Sequence, residues 1–145
     1  MTDALLAGDA LARACAASML ARDSASQSLG ITIDEAREGY ARLSLTIGEA
    51  MTNGLGIAHG GVVFTFADSA FAYACNSRNV PHVALSATIS FTTAARLGDQ
   101  LRAIAEERSL RGRTGVYDVT VTQAAGELVA VFRGTCYRVN GTVLT

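Results

Sequence analysis

Between residues 50 and 77 the chain carries one formal charge, Asp68, and the run from Val62 to Cys75 is apolar apart from that residue and the hydroxyls of Thr65, Ser69 and Tyr73. A helix that is apolar nearly all round has to be enclosed by other structure on most sides. The run is shorter than the roughly 18 residues of a membrane helix and holds Asp68 midway, so it belongs inside a soluble protein. A desolvated carboxylate without partners is very costly, which makes Asp68 the first suspect for function.

The flanks supply what could enclose such a helix. Ile31 and Ile33 alternate with Thr32 and Asp34, and Ala41, Leu43, Leu45 and Ile47 alternate with Arg42, Ser44 and Thr46. This period of two marks strands with one buried face, joined by a turn at Glu38-Gly39. Beyond the helix, Val83, Leu85, Ala87, Ile89 and Phe91 alternate with Ala84, Ser86, Thr88, Ser90 and Thr92, and further strands are expected at residues 101–107, 114–123 and 128–139. Gly98-Asp99, Arg111-Gly112-Arg113 and Ala125-Gly126-Glu127 punctuate them as turns. At the start, Asp3 as N-cap and Leu6, Ala10, Ala14 and Ala17 at helical spacing predict a helix over about residues 3–22, with residues 24–28 as a linker. Short connections favour antiparallel neighbours, so the expectation is one α+β domain over residues 1–145: a curved antiparallel sheet wrapped around a long central helix from Gly60 to about Asn76.

Composition excludes several classes of partner. A formal charge of −1 gives no broad field for nucleic acid or an anionic membrane. Three scattered cysteines, Cys15, Cys75 and Cys136, form no CxxC and argue for reduced thiols in a cytoplasmic setting. His59 and His82 have no second ligand at helical spacing, so neither a metal nor any other cofactor is expected. The opening 22 residues contain Asp3, Asp9 and Arg13 and lack the basic leader and unbroken apolar core of a secretory signal.

The loop before the central helix, Asn53-Gly54-Leu55-Gly56-Ile57-Ala58-His59-Gly60-Gly61, ends on two glycines at the helix N-terminus. Without a Cβ there, the first N–H groups of the helix stay open to a ligand oxygen, and the positive end of the helix dipole favours an oxygen that gains negative charge. Gly60 and Gly61 are thus oxyanion-hole candidates. Asp68 lies eight residues on, about 12 Å along the axis at 1.5 Å per residue, whereas reacting groups approach to about 3 to 3.5 Å. One helix cannot present both groups to one carbonyl. A two-fold dimer with antiparallel helices can, since Asp68 of one subunit then reaches the Gly60 end of the other, whose dipole would help keep that carboxylate ionised.

Asn53-Gly54, His59-Gly60-Gly61 and the run Asp68-Ser69-Ala70-Phe71-Ala72-Tyr73-Ala74-Cys75-Asn76 resemble the hotdog-fold acyl-CoA thioesterases, specifically the PaaI type of phenylacetic acid degradation, over residues 40–140. The resemblance implies that the Gly60 N–H polarises a thioester carbonyl, that Asp68 from the opposite subunit activates water or attacks directly, and that Asn53 orients substrate or water. It also implies a coenzyme A thioester, such as phenylacetyl-CoA or a ring-hydroxylated relative, as substrate, and a homo-oligomer built as a pair of dimers. A thiolate leaving group with a pKa near about 8.5 needs no strong general acid, so one base and one oxyanion hole suffice. Water activation and a transient anhydride both remain open.

Plainer roles stand beside these. His59 serves in proton transfer or, the favoured reading, holds the loop through a ring hydrogen bond. Asn53 orients substrate or caps its turn. Cys75, on a helix face similar to that of Asp68, is core filler ahead of a nucleophile. Ser86 and Thr88 line a substrate pocket or point outward. Arg108, Arg111 and Arg113 grip coenzyme A phosphates or form a solvated hairpin turn. Phe64, Phe66, Phe71 and Tyr73 are core ahead of acyl pocket. Two alternative functions are a dehydratase or hydratase of acyl thioesters, which usually pairs His with an acid in motifs that include proline, whereas Pro81 is the one proline here, and a non-catalytic acyl-CoA sensor.

Overall fold

A computed structural model describes residues 6–145. Helix α1 (Gly8–Ala21) and a short α2 (Ser24–Ser28) precede strands β1 (Thr32–Arg37) and β2 (Tyr40–Thr46). A 3-10 turn (Glu49–Met51) and the glycine-bearing loop lead into α3 (Gly60–Cys75). Four strands follow: β3 (His82–Phe91), β4 (Gln100–Arg111), β5 (Thr114–Gln123) and β6 (Leu128–Arg138). All six strands join one antiparallel sheet in the order β1-β2-β4-β5-β6-β3, curved against α3.

The inner face of the sheet is the alternating set expected from the period-2 pattern. Leu43 and Leu45 of β2, Leu101 and Ala103 of β4, Val119 and Val121 of β5 and Ala130 and Phe132 of β6 meet Val63, Phe66, Ala67, Ala70, Phe71 and Ala74 of α3. Burying each large side chain of this set stabilises the fold by roughly 1.5–3 kcal/mol. Phe71 sits centrally, its ring 5.8 Å from those of Tyr117 and Phe132. Opposite it β6 has Gly134, where an added Cβ would overlap the Phe71 ring. The aromatic residues Phe66, Phe71 and Tyr73 are core, as expected.

Several local expectations change. Asp3 lies outside the described residues; α1 begins at Gly8 after Ala7, with no side-chain cap. Residues 24–28 form a helical turn and not a linker, because the Asp23 carboxylate caps it by accepting from Ser26 N–H at 3.0 Å. Strand β4 continues past Glu107 because a bulge between Glu107 and Ser109 inserts a residue and breaks the alternation without ending the pairing. A bulge between Ala84 and Ser86 likewise takes Val83 and Leu85 out of phase with Ala87, Ile89 and Phe91. Val83 therefore pairs on the outer side with Tyr137, while Ala87 and Ile89 pack on the core.

Strand β3 is an open edge with Val83 52%, Leu85 63% and Phe91 54% exposed. On α3 one stripe, Gly61, Thr65, Asp68 and Ala72, is likewise left incompletely covered by its own chain. An unpaired edge and an uncovered stripe on an otherwise enclosed helix are both surfaces that call for a neighbour.

Candidate active site

The loop from Asn53 to His59 is held by its own backbone. Asn53 N–H donates to Ile57 O at 2.8 Å, and Gly56, at φ 76°, closes the turn by donating to Asn53 O at 3.0 Å. The Asn53 side chain completes it, its Oδ1 accepting from Leu55 N–H at 2.9 Å and Ile57 N–H at 3.4 Å. Asn53 thus caps its turn, while its amide NH2 group makes no hydrogen bond among the described residues and lines a cleft of about 250 Å³ with Ile57, Gly60, Val63, Phe91 and Val129.

His59 is the N-cap of α3. Its Nδ1 accepts a hydrogen bond from Gly61 N–H at 2.9 Å, which requires an imidazole protonated on Nε2 alone. The Gly61 amide is therefore occupied. The preceding amide, that of Gly60, has no partner among the described residues and belongs to the cleft lining. Both glycines also have a packing reason: a Cβ on Gly60 would lie 3.3 Å from the Phe91 ring, and one on Gly61 3.1 Å from His59 Nδ1. Phe91 escaped the sequence reading as a site residue. Its one signal was its place as the last inward residue of β3, and its partner Gly60 is 31 positions away in the chain.

Asp68 lies two turns along α3, half-buried and without a hydrogen bond from the described residues. Burial first, and the Asp23 carboxylate second, hold its pKa above the usual carboxylate range. Its separation from Gly60 remains the roughly 12 Å set by helical rise, because α3 is unbroken from Gly60 to Cys75. Cys75 is buried in the core cluster, where the adjoining Cys136 thiol and then burial push its own thiol up, away from the thiolate form.

The remaining site residues are not gathered at Gly60 within one chain. Ser86 and Thr88 are exposed on β3, paired with Thr135 and Arg133 on the side of the sheet away from α3. Neither lines the Gly60 cleft of its own chain. Arg111 and Arg113 are exposed at the tip of the β4–β5 hairpin, beside the C-terminal end of α3. Register aligns this tip with Val83, and Phe91 lies eight residues further along β3, or about 26 Å at 3.3 Å per residue. Arg108 lies near the Asp118 carboxylate, at 3.4 Å, on the sheet surface. Among the described residues no cluster of His, Cys, Asp or Glu could hold a metal, and no helix is long and apolar enough to cross a membrane.

An unpaired amide at a helix N-terminus, a cleft beside it and a half-buried carboxylate on the same helix are the parts of an acyl-transfer site, and known proteins with this fold carry that chemistry. Residues 55–130 match the model of the thioesterase superfamily. The chain is 41% identical over 125 residues to the acyl-coenzyme A thioesterase PaaI of Escherichia coli K12, covering 86% of this chain and 89% of that protein. The structure of the E. coli PaaI protein from the phenylacetic acid degradation operon superposes with a TM-score of 0.91 at 40% identity, over 92% of this chain and 97% of that one. A hypothetical thioesterase protein from Streptococcus pneumoniae TIGR4 solved with coenzyme A superposes with a TM-score of 0.74 at 26% identity, over 76% of this chain and 89% of that one.

The chain belongs to the thioesterase superfamily and has its hotdog fold. Within that superfamily it is a thioester hydrolase of the PaaI type.

Proposed function

We propose that the protein hydrolyses acyl-CoA thioesters, with phenylacetyl-CoA or its ring-hydroxylated relatives as substrate, at sites shared between two subunits. The observation that carries this reading is the unpaired Gly60 amide at the head of a helix whose one acid is about 12 Å away and lies on the stripe its own chain leaves uncovered. Pairing two α3 helices antiparallel along that stripe brings Asp68 of the partner subunit to Gly60. Pairing the exposed β3 edges would cover Val83 and Leu85 and bring Ser86 and Thr88 toward the second chain. Two such dimers joined into a tetramer complete the assembly.

Water attacks the thioester carbonyl carbon as one of its protons passes to the partner subunit's Asp68. The carbonyl oxygen becomes an oxyanion and accepts the Gly60 N–H, which points nowhere else; such donors are worth about 10²–10³ in kcat. The tetrahedral carbon then expels the coenzyme A sulfur, and the proton held by the carboxylate is returned to the thiolate or to solvent. Asn53, its oxygen committed to the turn, offers its amide NH2 to substrate or water, and His59 fixes the loop. Attack by the carboxylate itself would pass through an anhydride, and hydrolysis of that anhydride by water at the Asp68 carboxyl carbon would leave solvent oxygen-18 in Asp68 after one turnover.

Val63, Phe91, Ala95 and Val129 give the cleft apolar walls suited to an aryl acyl group. The exposed Arg111 and Arg113 lie far from Gly60 in their own chain, so these two would reach the coenzyme A phosphates of a site only from another subunit. Three buried, unpaired thiols support a cytoplasmic setting. Thiol release from a panel of aryl and aliphatic acyl-CoAs tests the reading: Asp68→Asn is expected to lose about 10² or more in kcat while keeping substrate binding. Equal turnover by the two proteins would remove Asp68 from the chemistry.

A further inference from the structure

The segment between α1 and α2 lies outside the thioesterase-superfamily match, yet it carries a second acid into the neighbourhood of the first. Asp23 accepts three hydrogen bonds: from Ser26 N–H at 3.0 Å, Ser26 Oγ–H at 2.6 Å and Tyr73 Oη–H at 2.7 Å. Ser26 is fully buried, and its Oγ is 2.9 Å from Ser69 Oγ, the residue next to Asp68. Tyr73 and Ser69 are four apart on α3 and share one face. The Asp23 carboxylate is therefore tied at two points to the stretch of helix that bears Asp68.

Resting on the reading of Asp68 as base or nucleophile, we infer that Asp23 is a positioning residue for it, clamping that stretch of α3 through Ser26, Ser69 and Tyr73 and setting a fixed negative charge beside the reactive carboxylate.

The chemistry of the cluster supports this. Burial would raise Asp23, but the Ser26 hydroxyl, the Ser26 amide and the Tyr73 hydroxyl outweigh it and leave the acid below its ordinary range. It stays ionised while Asp68, lacking donors, is the group that responds. The other titrating groups on the inner, buried or half-buried side of the elements packed around α3 are Cys15 of α1, Glu107 of β4 held by Arg78, Tyr117 of β5 and Cys136 of β6, with Tyr73 and Cys75 on the helix itself. Burial keeps Tyr73 and Tyr117 protonated. Asp23 is thus the charge that acts on Asp68. A base made harder to ionise is a stronger proton acceptor once ionised.

The test is the pH profile of kcat/KM for thioester hydrolysis. Asp23→Ser removes the charge yet keeps an N-cap oxygen for α2. Its acidic limb is expected to move to lower pH, so that the variant keeps a larger fraction of its plateau rate in acid, with a lower plateau. Tyr73→Phe keeps the charge and should leave the limb in place, and Asp23→Glu should return it toward the native position. Should Asp23→Ser fail to fold, Asp23→Asn, nearly the same shape, gives the same comparison. A limb that stays put in a folded charge-free variant overturns the inference even where thermal stability falls, because a merely structural Asp23 would do just that. Unaltered turnover in Asp68→Asn would instead overturn the reading beneath it, and the inference with it.

Discussion

His59 Nδ1 accepts the Gly61 N–H at 2.9 Å, and this bond decides which amide of the paired glycines is free for chemistry. The first four N–H groups of a helix lack intrahelical partners. The imidazole satisfies the second of them and leaves the first, on Gly60, open to the cleft.

His59→Ala removes that cap. Loss of stability of about 1 kcal/mol is expected, measured by denaturant unfolding, together with a fall in kcat larger than any rise in KM, because the loop that places Gly60 loosens. His59→Asn supplies a different cap oxygen and should recover most of the stability. Full recovery of rate by Asn would show that the ring takes no part in proton transfer.

Gly60→Pro deletes the open amide with little harm to the helix, since proline is favoured at the first helical position and the extended His59 (ψ 134°) suits the residue before it. The ring must displace Phe91 by a few tenths of an ångström. Neither Gly60→Pro nor Asp68→Asn homo-oligomers should turn over at more than about 10⁻² of the native rate. Co-refolding the two is expected to restore activity, because in a mixed dimer one site inherits both defects and the other none. Activity that stays at the level of the separate variants after mixing would place both groups in one chain's site.

Asp68 also carries a stability signature. Its folded pKa lies above the ordinary carboxylate value, with burial as the main cause, so the folded state binds more protons than the unfolded state between the two values. Stability contributed by the protonated acid is therefore lost as pH rises through the folded pKa. Asp68→Asn, which carries no charge at this position, is expected to melt above the native protein at neutral pH, with the gap narrowing as the solution is acidified. Thermal melts across pH check this; a variant less stable than the native protein at neutral pH would contradict it.

Gly134 faces Phe71 across the core, with no room for a methyl group between them. Gly134→Ala should cost about 1–3 kcal/mol by overpacking, read from thermal or denaturant unfolding. Phe71→Leu in the same chain should return part of it, since the two changes are neighbours and couple.

The local grammar of this chain was legible before any coordinates. Strands showed in their alternation, α3 in its unbroken apolar run, and Gly60 and Asp68 in the glycine pair and the lone charge. The strand extension beyond Glu107 and the changed phase of Val83 and Leu85 were not, because each bulge inserts one residue and the period-2 rule has no term for it. The Ser24–Ser28 turn was read as a linker; its signal was Asp23, a cap residue three positions before Ser26.

By itself the sequence determined most of the strands and the long helix, the apolar face of each strand outside the bulges, and that Gly60 and Asp68, the proposed oxyanion donor and base, stand too far apart on one helix to meet the same carbonyl. These are short-range properties, set by residue type and by the repeat of the backbone. Tertiary structure alone decided that β3 is the open edge, that Phe91 closes on Gly60 and that Asp23 lies beside Asp68. Those pairings join residues distant in the chain, and their free energy exists only once packing has brought the partners into contact.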